Sequence, residues 1–156
     1  MKPAMRMLAG CAVLLLCVAA AQAKPNFSGE WKLNVSKSDF GQMPAPTSMT
    51  QKITHNDPEL KIAVSQVSER GEMNYEAAYT TDGKECINQR GNFEVKSVLK
   101  WDGDTLTVTS KMDFQGNPVT ISDKWTLSED GKTLTINRHF SSSMGEGDAK
   151  TVLEKQ

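Results

Sequence analysis

The sequence predicts an all-β domain, a closed antiparallel up-and-down barrel of eight to ten strands. Two observations carry this. From Phe27 to Lys155 the chain is a succession of short segments in which apolar and polar residues alternate, each cut from the next by a turn signal. Beyond residue 23 no segment shows the 3.6-residue period of a helix, so nothing is available to cover a second face of the sheet. Many consecutive strands without helices bury their apolar face by closing on themselves or by packing as a sandwich.

The first element stands apart. Residues 1–23 combine a basic start (Lys2, Arg6), an apolar run from Leu8 to Ala20 and small residues at Ala21 and Ala23. This is the three-part pattern of a cleaved signal peptide and implies an exported protein, periplasmic or extracellular. The run is short for a membrane span. Leu8–Cys11 ("LAGC") resembles a lipoprotein box, but the apolar run follows that cysteine instead of preceding it, so no stable membrane anchor is expected. The barrel domain is residues 24–156, and a monomer is expected. Cys86 is its single cysteine, so packing and not a disulfide must hold it together. The whole chain carries a formal charge of −1, which provides no field for nucleic acid or an anionic membrane.

The expected strands are 27–33, 49–55, 60–68, 73–81, 84–89, 93–101, 105–114, 119–127, 133–140 and 149–155. Between them lie Asn56-Asp57-Pro58, Arg70-Gly71, Asp82-Gly83, Asp102-Gly103, Gly116-Asn117-Pro118 and Asp130-Gly131. Asp-Gly between alternating runs is a strong hairpin signal, because the central residues of a type I′ turn need positive φ. The one long connection, Asn34–Ser48, holds two prolines and a glycine and reads as a loop or one short turn.

Turn chemistry then proposes registers. A two-residue turn at Asp102-Gly103 pairs Leu99 with Leu106 and Val95 with Ser110. A loop at Gln115–Pro118 pairs Ser110 with Asp123 and Val108 with Trp125. A turn at Asp130-Gly131 pairs Asp123 with Arg138 and Trp125 with Ile136. These pairings lay a polar row, Val95–Ser110–Asp123–Arg138, across an otherwise apolar inner face. An ion unpaired there would cost several kcal/mol, so an Asp123–Arg138 ion pair is expected.

"NFSGEWKLN" (Asn26–Asn34), "KITHNDPELKIAVS", "TTDGKE", "VKSVLKWDGDTLTVTSK", "KWTLSEDGKTLTI" and the closing "TVLEK" together resemble the calycins, the fatty-acid-binding-protein and lipocalin group. Ten strands in this length are more similar to the fatty-acid-binding type, and "KWDG" with "DGKTLTI" also resembles uncharacterised exported bacterial lipocalin-like proteins. The resemblance implies a ligand-carrying barrel, with Trp31, Phe27, Gly29 and Leu33 closing its floor. It also implies two short lid helices and an Arg-x-Tyr carboxylate clamp on the last strand. Residues 34–48 are too short and too proline-rich for the helices, and Thr151 and Leu153 stand where the clamp would be.

The functional expectation is non-enzymatic binding of a hydrophobic or amphipathic, fatty-acid-like small molecule in the barrel. Arg138, Asp123 and Ser110 would supply the polar anchor, and Trp125, Ile136, Phe140, Met112 and Tyr79 the walls. A polar stripe within apolar walls is the usual composition of such pockets. The same stripe also serves as an ion pair that only sets register. No cofactor is implied: His139 points outward by parity, and His55 is expected at the rim, at the mouth end of its face. No phosphate loop, metal-ligand spacing or triad order is present, and a glycosidase-like use of Asp123 lacks a second acid. The alternative is a secreted or periplasmic interaction module, an inhibitor or envelope scaffold with a filled core, that binds through loops at 34–48 and Ser141–Asp148.

Overall fold

The computed structural model describes residues 23–156. The expected signal peptide and its cleavage site therefore lie, but for Ala23, outside the described residues. Ten antiparallel strands follow one another: β1 (Gly29–Leu33), β2 (Ser48–Asn56), β3 (Glu59–Ser68), β4 (Gly71–Thr80), β5 (Asp82–Arg90), β6 (Phe93–Asp102), β7 (Thr105–Phe114), β8 (Asn117–Leu127), β9 (Thr133–Ser142) and β10 (Gly145–Lys155). Each expected strand is found, with ends displaced by at most a few residues. They form one sheet in the order β4-β3-β2-β1-β10-β9-β8-β7-β6-β5, in which β1 pairs with both β2 and β10. The sheet curls until its two edges, β4 and β5, meet in a nearly closed barrel.

Side chains stitch that seam where the backbone ladder is missing. Asn88 on β5 accepts from the Ala78 N–H at 2.8 Å and donates to the Ala78 carbonyl at 3.0 Å, so its amide imitates a neighbouring strand. The Cys86 thiol accepts from the Thr80 N–H at 3.2 Å. The Asp82-Gly83 signal therefore does not make a hairpin: Asp82 and Gly83 open β5, which ladders only with β6 through an irregularity between Asp82 and Glu85.

One of the three proposed registers holds and two shift by two residues. Leu127↔Leu134, Trp125↔Ile136 and Asp123↔Arg138 pair as the Asp130-Gly131 turn predicts. At the β6–β7 hairpin, however, Asp102 pairs with Thr105, so Gly103-Asp104 form the turn. Gly103 has φ +58° and Asp104 is not in the positive-φ region, the pattern of a type II′ turn with glycine first. At the β7–β8 hairpin Phe114 pairs with Asn117, and Gln115 and Gly116 have φ +54° and +83°, a type I′ pattern. Asn117-Pro118 is thus strand, not loop. Because the shift is even, every side chain keeps its face while its neighbours change. On β4, Tyr75 and Tyr79 oppose Val64 and Leu60 of β3.

One end of the barrel is solid. Phe27, Trp31, Leu60, Leu106, Leu134 and Leu153 are almost wholly inaccessible there, and the Trp31 indole N–H donates to the Phe27 carbonyl at 2.9 Å. His55 belongs to this floor and not to the rim. It is 5% accessible, its ring stacks with Phe27 and Trp101, and its Nδ1 accepts from the Phe27 N–H at 3.3 Å. His139 faces outward beside Asp148.

The other end is roofed by the long connection. After a single 3₁₀ turn (Val35–Lys37), Asp39 exchanges two backbone hydrogen bonds with Lys150 of β10. Thr47 then donates to the Val67 carbonyl of β3 at 2.8 Å. The chain between these moorings straps the barrel mouth, with Phe40 packed on the core. Ser141–Asp148, expected as a contact loop, is instead mostly ladder, with Ser142 paired to Gly145.

Candidate ligand-binding site

β8 and β9 place Asp123 and Arg138 opposite each other on the inner face, and the guanidinium grips the carboxylate bidentately: Nε to Oδ1 and Nη2 to Oδ2, both 2.7 Å. The Asp123 side chain is 8% accessible and that of Arg138 36%. Arg138 borders both interior cavities described below. Burial works to lower the Arg138 pKa and is outweighed by the hydrogen bonds and charge of Asp123, so the guanidinium stays charged more firmly than usual.

The polar row proposed from the sequence is corrected by the shifted registers. Asp123 lies opposite Val108, and Leu99 continues that row. Ser110 pairs instead with Ser97, their hydroxyls 2.8 Å apart, one row nearer the mouth. The ion pair therefore stands in an apolar row and is its own main source of compensation.

Two connected hollows occupy the interior. A cavity of about 500 Å³ lies beneath the strap. Phe40, Met43, Pro44 and Pro46 roof it, and Met49, Met73, Ile136 and Ala149 supply apolar wall. A second space of about 50 Å³ lies deeper, bordered by Tyr79, Ser110, Asp123 and Trp125 among others. Gln51, Tyr75, Arg90, Ile136 and Arg138 border both, which places them at the neck between the two. The deep space has room for a few waters, not for an apolar chain. A hollow of about 600 Å³ on the outer surface of β1–β4 is larger. It is lined mainly by outward residues of mixed charge, Glu30, Lys52 and Glu76 among them.

Of the residues expected from the sequence, Arg138, Asp123, Ser110, Trp125, Ile136 and Tyr79 border the deep space, and Arg138 and Ile136 also border the larger cavity. Phe140 and Met112 border neither. Phe140 lies across Gly147 of β10, and Met112 is partly buried between Val95 and Val119.

The sequence reading missed Arg90, Tyr75 and Gln51 as a group. The Arg90 guanidinium sits 4.3 Å over the Tyr75 ring, bridging β5 and β4 across the seam. Among the described residues no carboxylate lies within 4.0 Å of it, and the Tyr79 hydroxyl is its hydrogen-bonding neighbour. Burial pushes the Tyr79 hydroxyl up to about 12, with the nearby Arg90 charge opposing. Two groups beside these are buried without a hydrogen-bond partner, Gln51 Oε1 and Trp125 Nε1. Cys86-x-Asn88-x-Arg90 shows the inward parity of all three β5 residues, but an inner row without apolar side chains leaves no alternation to read.

No family model matches the chain, and no curated protein matches it by sequence. Solved structures do. A zebrafish ileal bile acid-binding protein complexed with cholic acid superposes with a TM-score of 0.59 at 15% identity, covering 83% of this chain and 98% of that one. A secretory abundant heat soluble protein from Ramazzottius varieornatus gives 0.58 at 15% identity, with 86% and 97% covered. A Schistosoma mansoni fatty acid binding protein in complex with arachidonic acid gives 0.52 at 15% identity, with 83% and 96% covered. At such identities the likeness concerns architecture, and on it the chain has the ten-stranded calycin fold of the fatty-acid-binding type, with a proline-containing strap in place of the two lid helices.

Proposed function

We propose that this is an exported, non-enzymatic binding protein that holds a compact hydrophobic or amphipathic molecule in the cavity beneath the strap. The observation that carries this reading is the cavity itself. About 500 Å³ falls within the usual range for small-molecule sites, and its apolar roof and walls converge on a few polar groups at the neck. Neighbours of the same fold are described with cholic acid and arachidonic acid bound, which supports a ligand inside this barrel. The solid floor and the small deep space argue for a short or folded ligand seated near the mouth, not a long chain running the length of the barrel. Catalysis finds little support: Asp123 is the one carboxylate on the deep space and is committed to Arg138. Export rests on the pattern of residues 1–23.

The interaction-module alternative needs free loops, and both of its candidates are tied down, one as the strap and one as the β9–β10 hairpin. Native mass spectrometry against medium-chain acids and alcohols, bile acids, sterols and retinoids tests the binding reading. One-to-one complexes at micromolar protein are expected, and Ala149→Trp, which fills the cavity wall, should abolish them. The absence of any complex with the parent protein would overturn the carrier reading and favour the module.

A further inference from the structure

The solid end of the barrel is closed by a plug whose fastening depends on one neutral histidine. Phe27 precedes β1 and is wholly buried. Its ring stacks on His55 at 5.6 Å and on Trp101 at 5.8 Å, and meets Trp125, which lines the deep space, edge-on. The strand ladder begins only at Gly29, so side chains and His55 hold this segment. Ser28 Oγ donates to the His55 carbonyl at 3.0 Å and accepts from the His55 N–H at 2.9 Å, and Asn26 Nδ2 donates to the same carbonyl at 3.3 Å. The ring itself takes the Phe27 N–H on Nδ1 at 3.3 Å. An accepting Nδ1 puts the ring hydrogen on Nε2. That atom is buried without a hydrogen-bond partner and lies 3.5 Å from Asp57 Oδ1. The Asp57 carboxyl is held below its ordinary value, first by the Thr81 hydroxyl, so it is ionised wherever a histidine titrates. Across the ladder β3 sets Leu60 against His55, and β6 contributes the Trp101 ring, neither of which titrates. Lys24 is the other charge at this end: its ammonium donates to the Gly103 carbonyl at 2.8 Å and lies 5.6 Å from the centre of the Trp101 ring.

We propose that His55 is an acid-sensitive latch, which holds the Phe27 plug in the floor while neutral and exchanges it for Asp57 when protonated. An imidazolium has two N–H donors and no acceptor. Its Nδ1–H then faces the Phe27 N–H, donor against donor, and leaves a buried amide unpaired. Its Nε2–H meanwhile gains a charge-assisted bond to a carboxylate already 3.5 Å away. One proton thus breaks the contact on one side of the ring and strengthens that on the other. The Ser28 and Asn26 bonds reach only the His55 backbone, so the plug loosens ahead of Ser28 while β1 and β2 stay paired. Withdrawal of Phe27 takes its carbonyl from the Trp31 indole N–H and uncovers the edge of Trp125. The deep space then gains an opening through the floor, opposite the strap. The latch is independent of the carrier reading and operates in an empty barrel.

The test is nitrogen-15 NMR of the protein between about pH 8 and about pH 5, the range in which histidine changes charge. His139→Gln tells the two imidazoles apart. At the alkaline end His55 should show the tautomer with its hydrogen on Nε2. On acidification the Phe27 amide and the Trp31 and Trp125 indole N–H signals should move along one curve with the His55 ring. Exchange of both indole hydrogens with water should rise by about tenfold or more as the plug opens. His55→Asn, whose side-chain oxygen replaces the acceptor and does not protonate, should stay closed throughout. Asp57→Asn, which takes the partner from the imidazolium, should move the step to lower pH. A His55 ring that titrates while Phe27 and both indoles stay fixed would overturn the latch. So would a ring that remains neutral until the whole molecule unfolds, or a step that persists in His55→Asn. If His55→Asn gives no cooperative melt, the parent and Asp57→Asn curves decide, and a step unmoved by Asp57→Asn would overturn the exchange of partners.

Discussion

Removing Arg138 should be far more damaging than removing Arg138 and Asp123 together. In Arg138→Leu the Asp123 carboxylate, 8% accessible, loses both of its 2.7 Å hydrogen bonds. Its row neighbours, Val108 and Leu99, offer no replacement. Stripping one partner from a fully buried pair costs about 3–5 kcal/mol. Here the guanidinium end borders a cavity, which lets some solvation reach the orphaned charge, so about 2–4 kcal/mol is expected. Asp123→Val with Arg138→Leu extends the Leu99–Val108 row with apolar side chains and removes the orphan, so the double variant should recover most of the loss. The cycle is measured by urea denaturation, followed by tryptophan fluorescence and circular dichroism, with m-values compared to confirm an unchanged transition. A coupling of about 2–3 kcal/mol is expected; losses that add to within about 0.5 kcal/mol would refute the pairing.

The remaining expectations concern pH and the seam. Tyr79 ionises near 12 in the fold against an ordinary 10.0, so the neutral hydroxyl is favoured by folding. Stability should be full below pH 10 and decline as pH rises toward 12. Tyrosinate absorbance should show a late step that Tyr79→Phe removes, and complete ionisation of the native protein near pH 10 would contradict this. Asp57 has its pKa lowered, first by the Thr81 hydroxyl and also by Trp101 and His55 against a smaller opposing effect of burial. Its stabilisation is therefore present above the ordinary 3.8 and lost as pH falls below it. Asp57→Asn should flatten that acid limb, and an unchanged limb would count against the assignment. Asn88→Ala leaves Ala78 N–H and C=O without their seam partner. A loss of about 1–2 kcal/mol and faster hydrogen exchange at Ala78 are expected; unchanged exchange would mean the seam does not depend on that amide.

Much of this architecture was legible because alternation and turn residues are local signals. Ten strands follow from them, and the Asp130-Gly131 turn places Arg138 against Asp123. The failures share a cause. At Asp102-Gly103-Asp104 and Gln115-Gly116-Asn117-Pro118 a glycine lies among several turn-forming residues, and adjacent two-residue turns leave every side chain on the same face. Burial patterns cannot tell them apart, because the shift is even. Ser110 was therefore displaced by one row from Asp123. The candidate site was less legible than the fold. Arg90 lies on β5, an edge strand whose inward residues are Cys86, Asn88 and Arg90, and its relation to Tyr75 exists only because the barrel brings its first and last edges together. His55 was misplaced for a similar reason: strand parity gives its face, but which end of the barrel is solid depends on Phe27 and Trp101 from distant segments.

The methionines offer the most direct test of whether a ligand occupies the space beneath the strap. Met43, Met49 and Met73 line that cavity, whereas Met112 and Met144 do not. In protein carrying carbon-13 methionine methyl groups, titration with dodecanol should shift the first three resonances saturably with a single Kd, and leave Met112 and Met144 in place. Shifts confined to Met112 and Met144, or no saturable shift at Met43, Met49 and Met73 with any of the probes above, would contradict a ligand site in this cavity.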